Sequence, residues 1–299
     1  MRILEFKPLT LEDIVTLRPF FERNLCRICD CTIGGTFLWR DYFDTQYAVC
    51  GDLVYFKVRY FTGETAFTSP HGRGEMTRAA IDRIVTYSEE NGLKPLLCAV
   101  SESRLNMIQR YYPKLEAVTN RDWSDYLYKA ETMKALSGRR LAGQRNHINR
   151  FLRSYPEHSF EAIGDANIEE ARHFFEAYTR PVQDNAEVYY EGNSKALEVL
   201  SNYGIYGQVG GILRADGEIV GAAIGEIVGD TLFVHIEKAR LEVPGAYQTL
   251  IKSFANMYAT DGVMYINREE DDGIPGLRAA KESYHPIALL SKFVIEIKT

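Results

Sequence analysis

Apolar residues recur along this chain with two periods, the helical one of three to four and the strand one of two, and the two alternate in the same order twice. Helical spacing over 11–23 predicts an amphipathic helix. Alternation over 47–50 and 54–60 then predicts two strands turned at Gly51-Asp52, and 66–68 predicts another. A longer helix over 76–90 stops at Asn91-Gly92, where glycine can take the left-handed turn that ends a helix. A strand over 95–100, a helix over 102–112 and a strand near 125–129 complete the unit. The second half opens with helices over 168–178 and 196–203. Strands over 208–213, 219–228 and 231–239 follow, turned at Asp216-Gly217 and Gly229-Asp230, sequences that favour tight hairpins. A helix over 244–258 stops at Asp261-Gly262, an apolar strand covers 262–266, a helix covers 277–284, and 288–297 closes the chain as a strand.

Both long helices thus end on an Asx-Gly stop, and both shorter ones end with a tyrosine two residues before proline, Tyr111 before Pro113 and Tyr284 before Pro286. The members of each pair lie about 170 residues apart, a domain-sized lag that reads as a duplication. The fold class this predicts is α/β (α+β), with two tandem domains, each a mixed, mostly antiparallel sheet flanked by helices. Hairpins followed by strand, helix, strand, helix and strand are the ordering of the N-acetyltransferase (GNAT-like) fold. The expected division is an N-terminal GNAT-like domain over 1–130, a bridging basic helix over 131–155 and a C-terminal GNAT-like domain over 156–299.

With 299 residues and 45% hydrophobic content the chain can bury two ordinary cores. No run of about 18 apolar residues is present and the N-terminus is mixed in charge, so a cytoplasmic protein is expected. Five cysteines fit reduced thiols, and the Cys26, Cys29, Cys31 cluster has no second paired spacing with Cys50, Cys98 or His71, so no metal site is expected. A net charge of −6 means that any polyanion must find a local basic patch.

One such patch is the helix over 138–155, which carries Arg139, Arg140, Arg145, Arg150, Arg153 and His147 and no acid. Leu141, Ile148, Phe151, Leu152 and Tyr155 gather on its other side. Guanidinium forks match phosphate oxygens, of tRNA, a nucleotide or a lipid headgroup. A solvated helix between domains would show the same pattern. A second concentration of charge lies over 267–286, where Asn267, Arg268, Glu269, Glu270, Asp271 and Asp272 leave the end of an apolar strand, the place where ligands bind in α/β sheets. The strand before it carries His235, Glu237 and Lys238, any of which could move a proton or steady an oxyanion, and each of which could equally be a structural ion pair. His235 and Glu237 are expected on one face and Lys238 on the other.

Acetyltransferases of this fold hold the coenzyme A pyrophosphate on free amides at the turn corresponding to 240–246. Here that turn has Glu242 inside it and Pro244 in place of one donor. The equivalent first-half turn over 70–75 is richer in glycine and could cradle an anion. Neither a Gly-x-Ser-x-Gly elbow nor a Gly-x-x-x-x-Gly-Lys-Ser/Thr loop occurs, which leaves direct acyl transfer between bound substrates as the chemistry for this fold.

Phe37-Leu-Trp39, the segment over 138–151, Ile236-Glu-Lys-Ala239 with Gly245-Ala-Tyr-Gln248, and the segments over 267–271 and 276–286 together resemble a known family. Over essentially its whole length the chain is similar to bacterial proteins resembling the C-terminal domain of phosphatidylglycerol lysyltransferase. The resemblance implies tandem GNAT-like domains, related to the Fem-type aminoacyltransferases, and transfer of an aminoacyl group from aminoacyl-tRNA to a lipid headgroup, peptide or small-molecule acceptor without a required cofactor or metal. Arg278 and Lys281 then resemble donor or headgroup contacts, with Tyr284 beside them. Asn267, Arg268 and Glu269 would orient the acceptor. Glu237, Lys238 and Asp271 are the catalytic candidates, and Arg139, Arg145, Asn146, His147 and Arg150 would grip phosphates. Unlike the lysyltransferases, this protein is expected to work without a membrane-spanning N-terminal region. Two other functions stay open: an N-acetyltransferase using acetyl-coenzyme A, and a non-catalytic module holding RNA or an anionic surface. The acceptor and the oligomeric state are left open.

Overall fold

The computed structural model describes residues 4–22, 26–178 and 186–298, with the backbone alone over 186–192. The first half runs β1 (Lys7–Pro8), α1 (Asp13–Phe21), α2 (Ile33–Phe37), β2 (Gln46–Cys50), β3 (Leu53–Arg59), β4 (Thr65–Thr68), β5 (His71–Gly72), α3 (Arg78–Glu90), β6 (Leu96–Ser101), α4 (Glu102–Tyr111), β7 (Glu116–Thr119) and β8 (Asp125–Lys129). Helices α5 (Ala130–Ala135) and α6 (Ala142–Ser154) follow. The second half runs β9 (His158–Ala162), α7 (Ile168–Ala177), α8 (Ala186–Ser201), α9 (Tyr203–Tyr206), β10 (Val209–Ala215), β11 (Glu218–Val228), β12 (Thr231–Ala239), α10 (Ala246–Tyr258), β13 (Tyr265–Asn267), α11 (Pro275–Glu282), β14 (Ala288–Leu290) and β15 (Lys292–Glu296).

One sheet has the order β1-β2-β3-β4-β6-β15-β7, with β5 beside β3, and the other β9-β10-β11-β12-β13-β8-β14. The second order repeats the first, strand for strand. The corresponding pairs β4·β6 and β12·β13 are both parallel. Two mixed, mostly antiparallel sheets flanked by helices are the expected fold class, and the duplication appears in the strand order itself.

The division of the chain differs from the expected one. The segment 288–297, read as one closing strand of the second half, breaks into β14 and β15, and β15 enters the first sheet between β6 and β7. In return β8, which closes the first half in sequence, lies between β13 and β14. The compact units are therefore Met1–Tyr126 with Glu269–Arg278 and Leu289–Thr299, and Leu127–Arg268 with Ala279–Ala288, in place of boundaries at 130 and 155. Partner choice is decided by burial. Ile295 and Ile297 are buried with Tyr55, Phe67, Ile84 and Val100 in the first unit's core.

Local signals behave as their chemistry requires. Asp216 and Gly217 turn the β10–β11 hairpin with φ of 50° and 84°, the conformation of an Asp-Gly turn. Gly92 takes φ 64° after α3. Pro275 opens α11, where its missing N–H leaves no helix bond unmade. The expected strand over 262–266 shortens to β13. The expected helix over 138–155 is a 3-10 turn at Arg139–Leu141 followed by α6. Ile148 and Phe151 bury one face of α6, at about 2 kcal/mol each. Leu152, expected with them, is 38% exposed.

Candidate active site

In the second unit β12 and β13 pair over only three positions, Thr231 with Tyr265, Leu232 with Ile266 and Phe233 with Asn267. Beyond them β12 bulges against β11, with Val234 opposite Gly225 and Ile236 opposite Ile224, which leaves His235 as the extra residue. The bulge breaks the simple alternation expected of this strand. His235 turns to Glu226, Nε2 to Oε1 2.9 Å, and both side chains are buried.

Past the paired positions Glu237 and Arg268 meet. Nε of Arg268 donates to Oε2 of Glu237 at 2.9 Å and Nη2 to Oε1 at 3.3 Å. The guanidinium lies over the rings of Tyr284, at 5.0 Å, and Tyr128, at 5.9 Å. Lys281 is buried below, its ammonium donating to the Arg268 carbonyl at 2.5 Å, while the Tyr128 hydroxyl donates to the Lys281 carbonyl at 2.8 Å. Two donors of the cluster have no acceptor among the described residues: Nη1 of Arg268 and the hydroxyl of Tyr284. Burial raises the Tyr284 phenol above its ordinary pKa, so it stays protonated. Arg268 and Glu237 also line a small cavity with Met133, Leu232, Ile251 and Phe254, of about 10 Å³, room for one water at most. Asn267 is fully buried in β13, and the Lys238 ammonium lies 5.9 Å from the centre of the Tyr178 ring. Glu237, Arg268, Lys281 and Tyr284 are thus brought together, whereas Lys238 stands apart.

The rest of the charged loop belongs to the first unit. Asp271 is fully buried. Arg278 grips it through Nε and Nη2, at 3.0 and 2.7 Å, and Arg121 and the Tyr126 hydroxyl donate at 3.0 and 2.5 Å. The Gly273 amide adds a further bond at 3.0 Å. Burial alone would raise the Asp271 pKa, but Arg278, Tyr126, Gly273 and Arg121 reverse this and hold it well below the usual carboxylate range. Arg278 also binds Asp122, at 2.5 Å. Glu269 sits at φ 55° and accepts the Tyr126 amide on its carbonyl.

A second cluster in this unit centres on Lys292. Its ammonium lies 2.8 Å from Asp30, 2.9 Å from Asp125 and Glu270, and 3.1 Å from the Cys29 sulfur. Cys29, Asp125 and Glu270 would form a metal-ligand grouping were the lysine not among them. Burial raises Asp125 to about 8, and burial keeps the Cys29 thiol protonated. Sequence reasoning passed over Arg121, Asp122, Asp125, Tyr126, Tyr128 and Lys292. An aspartate and a lysine directly before the apolar runs of two strands, Tyr126–Tyr128 and Phe293–Ile295, were the signal available.

On α6 the face divides in two. Arg145 turns inward, donating to the Leu136 and Gly138 carbonyls at 2.5 and 2.7 Å, and so caps α5, whose end takes φ 47° at Leu136. Arg139, Arg140, Asn146, His147, Arg150 and Arg153 are exposed. No carboxylate pairs with Arg139, Arg150 or Arg153 among the described residues. The α6 backbone covers the turn before α10: a Cβ on Gly245 would lie 2.2 Å from the His147 carbonyl oxygen. Within that turn the Val243 and Ala246 amides donate to Arg240 and Val243 carbonyls. In the first-half turn the Arg73 and Gly74 amides both donate to the Asp52 carbonyl. Two amides of each turn are thus engaged by carbonyls of the protein itself.

No helix among the described residues is long and apolar enough to cross a membrane. Comparison with known proteins sets this architecture in a group. A conserved protein of unknown function from Bacteroides thetaiotaomicron is 30% identical, with a TM-score of 0.90 over 99% of this chain and 100% of that one. The C-terminal domain of a candidate lysylphosphatidylglycerol synthetase from Agrobacterium fabrum is 16% identical, with a TM-score of 0.68 over 96% of this chain and 92% of that one. FemX shares the fold at 10% identity, with a TM-score of 0.56 over 97% of each chain. An uncharacterised protein of Mycoplasmoides gallisepticum is 20% identical over 176 residues, 58% of this chain, and the match spans little more than half, 56%, of that relative's length. Residues 26–296 match the family described as phosphatidylglycerol lysyltransferase, C-terminal, and the chain therefore belongs to that family of acyltransferase fold.

Proposed function

We propose that this protein transfers an aminoacyl group from aminoacyl-tRNA directly to an amine or hydroxyl on a lipid headgroup, peptide or small molecule. The observation that carries the reading is the pair of buried donors without an acceptor, Nη1 of Arg268 and the hydroxyl of Tyr284. An acyl transfer develops negative charge on the ester carbonyl oxygen, and preorganised donors in a dry site are what lowers that barrier. Glu237 holds the guanidinium plane through both oxygens, so its part is to position Arg268. The acceptor attacks the ester carbon, the bond to the ribose oxygen breaks, and the acceptor's proton passes to that oxygen as it leaves. Positioning supplies the remaining rate enhancement, with no covalent enzyme intermediate.

The exposed arginines of α6 give the donor's phosphates a surface whose charge no neighbouring acid cancels. An ester of tRNA suits this chain better than a coenzyme A thioester, because the turn before α10 that would grip a pyrophosphate carries Glu242 and has Pro244 in place of one amide donor. Charged tRNA pools carrying labelled amino acids, incubated with the protein and cell extract, should yield labelled acceptor that mass spectrometry identifies. No transfer under any charging condition would remove the reading. A thermal shift with saturating coenzyme A would restore the acetyltransferase alternative.

A further inference from the structure

Six aromatic rings of the first unit form one connected surface cluster that the acyl-transfer chemistry does not use. Trp39, Tyr42 and Phe43 come from the turn between α2 and β2, Tyr60 and Phe61 from the β3–β4 hairpin, and Trp123 from the 3-10 turn before β8. Phe61 is the hub. It stacks on Trp123 with centroids 5.4 Å apart and planes 24° apart, and meets Phe43 at 5.2 Å and Tyr60 at 5.1 Å edge-on. Tyr42 packs on Phe43 at 4.9 Å and Trp39 at 6.0 Å. The outermost rings have little over them: Phe61 is 55% exposed and Tyr42 49%.

Composition and charge narrow what could cover this tip. The cluster is built of rings alone, the side chains that settle between water and hydrocarbon. The charges around it are matched: Arg40 with Asp41, Lys94 with Glu64, Arg121 with Asp271, and Arg278 with Asp122. Arg59 and Asp44, both exposed, offset one another in number. A nucleic acid would find no surplus of cations here for its phosphates. Two half-exposed rings offer about 200 Å², far below the roughly 800 Å² per side that a stable protein interface buries. An aromatic tip without net charge, carried on three turns, fits a partner that needs no matching contour.

We infer that this tip inserts at the lipid–water interface of a bilayer, with Phe61 and Tyr42 entering first. The inference is independent of the acyl donor and concerns where the protein works. Both tryptophans of the chain lie in the cluster, so intrinsic fluorescence reports on this surface alone. With phosphatidylcholine vesicles carrying brominated acyl chains, tryptophan emission should shift to the blue and be quenched. The partition should change little between low and high salt, because apolar burial and not charge drives it. Replacing both rings, Phe61→Ser with Tyr42→Ser, should weaken partition at least about tenfold, measured below the variant's own thermal midpoint because the two rings also pack on their neighbours. The inference fails if the wild-type protein is not quenched by the vesicles, if the double variant partitions equally well, if partition collapses with salt, or if single-stranded oligoribonucleotide quenches the tryptophans and vesicles do not.

Discussion

Asp125 and Lys292 are the opening residues of the two strands that the halves exchange, and they pair with each other at 2.9 Å inside the first unit. Corresponding positions of a duplicated plan have taken opposite charges. The pair sits in a cluster with a surplus of carboxylates, Asp30 and Glu270 completing it, and burial raises Asp125 to about 8. Between the ordinary carboxyl value near 4 and that pH, the folded protein holds a proton that the unfolded chain has released. Stability should therefore fall as pH rises through that window and level off above about 8. Asp125→Asn should flatten this part of the curve, which urea midpoints measured across the range will show.

Arg268 and Glu237 test whether a buried pair acts structurally. Removing one partner leaves a charge without compensation, so Arg268→Met alone should cost about 3–5 kcal/mol. Arg268→Met with Glu237→Leu should regain much of that stability and still transfer no acyl group. Denaturant unfolding and a transfer assay on the same variants separate the two roles. Full activity in the stable double variant would dismiss Arg268 as an oxyanion donor.

Asp271 makes the opposite pH prediction. Its ionised form is held by two arginines, a tyrosine and an amide, so its contribution is present above the ordinary carboxyl range and fades as pH falls below about 4. Asp271→Asn should be clearly less stable than the wild type at neutral pH, and the difference should shrink in acid. Circular dichroism melts at both ends of that range would read it. A constant difference at every pH would contradict the assignment.

The arginines of α6 should divide by role. Arg139→Glu with Arg150→Glu is expected to leave stability unchanged, to weaken tRNA binding and to reduce the slope of log affinity against log salt by about two. Arg145→Ala should do the reverse, costing about 1 kcal/mol of stability through the lost cap on α5 while leaving the slope nearly unchanged. Filter binding over a salt series, paired with thermal melts, distinguishes them.

Much of the plan was legible in the sequence because its signals are local. Asn91-Gly92 ends α3 by backbone chemistry alone, whereas α10 stops at Tyr258, before the separate turn at Asp261-Gly262, and Asp216-Gly217 turns a hairpin as its sequence requires. The exchange of β8 and β15 was not legible. Alternation over 292–296 specifies a strand with a buried face, and two sheets of the same design offer equivalent slots for it. The charged loop was singled out as one run, yet its residues separate in the fold: Arg268 turns to Glu237, Asp271 to Arg121 and Arg278, and Glu270 to Lys292. A one-dimensional run of charge carries no record of distant partners such as Arg121, which lies 150 positions before Asp271.

The traded strands bear on how the gene can be dissected. A fragment ending near residue 130 would keep β8 with no sheet to receive it and would leave β6 and β7 with nothing between them. The complementary fragment would carry β15 as an orphan, its apolar face bare to water and its edges open to pairing with other copies. Neither piece is a natural unit for expression. Supplied together they ought to find each other, each providing the other's missing rib.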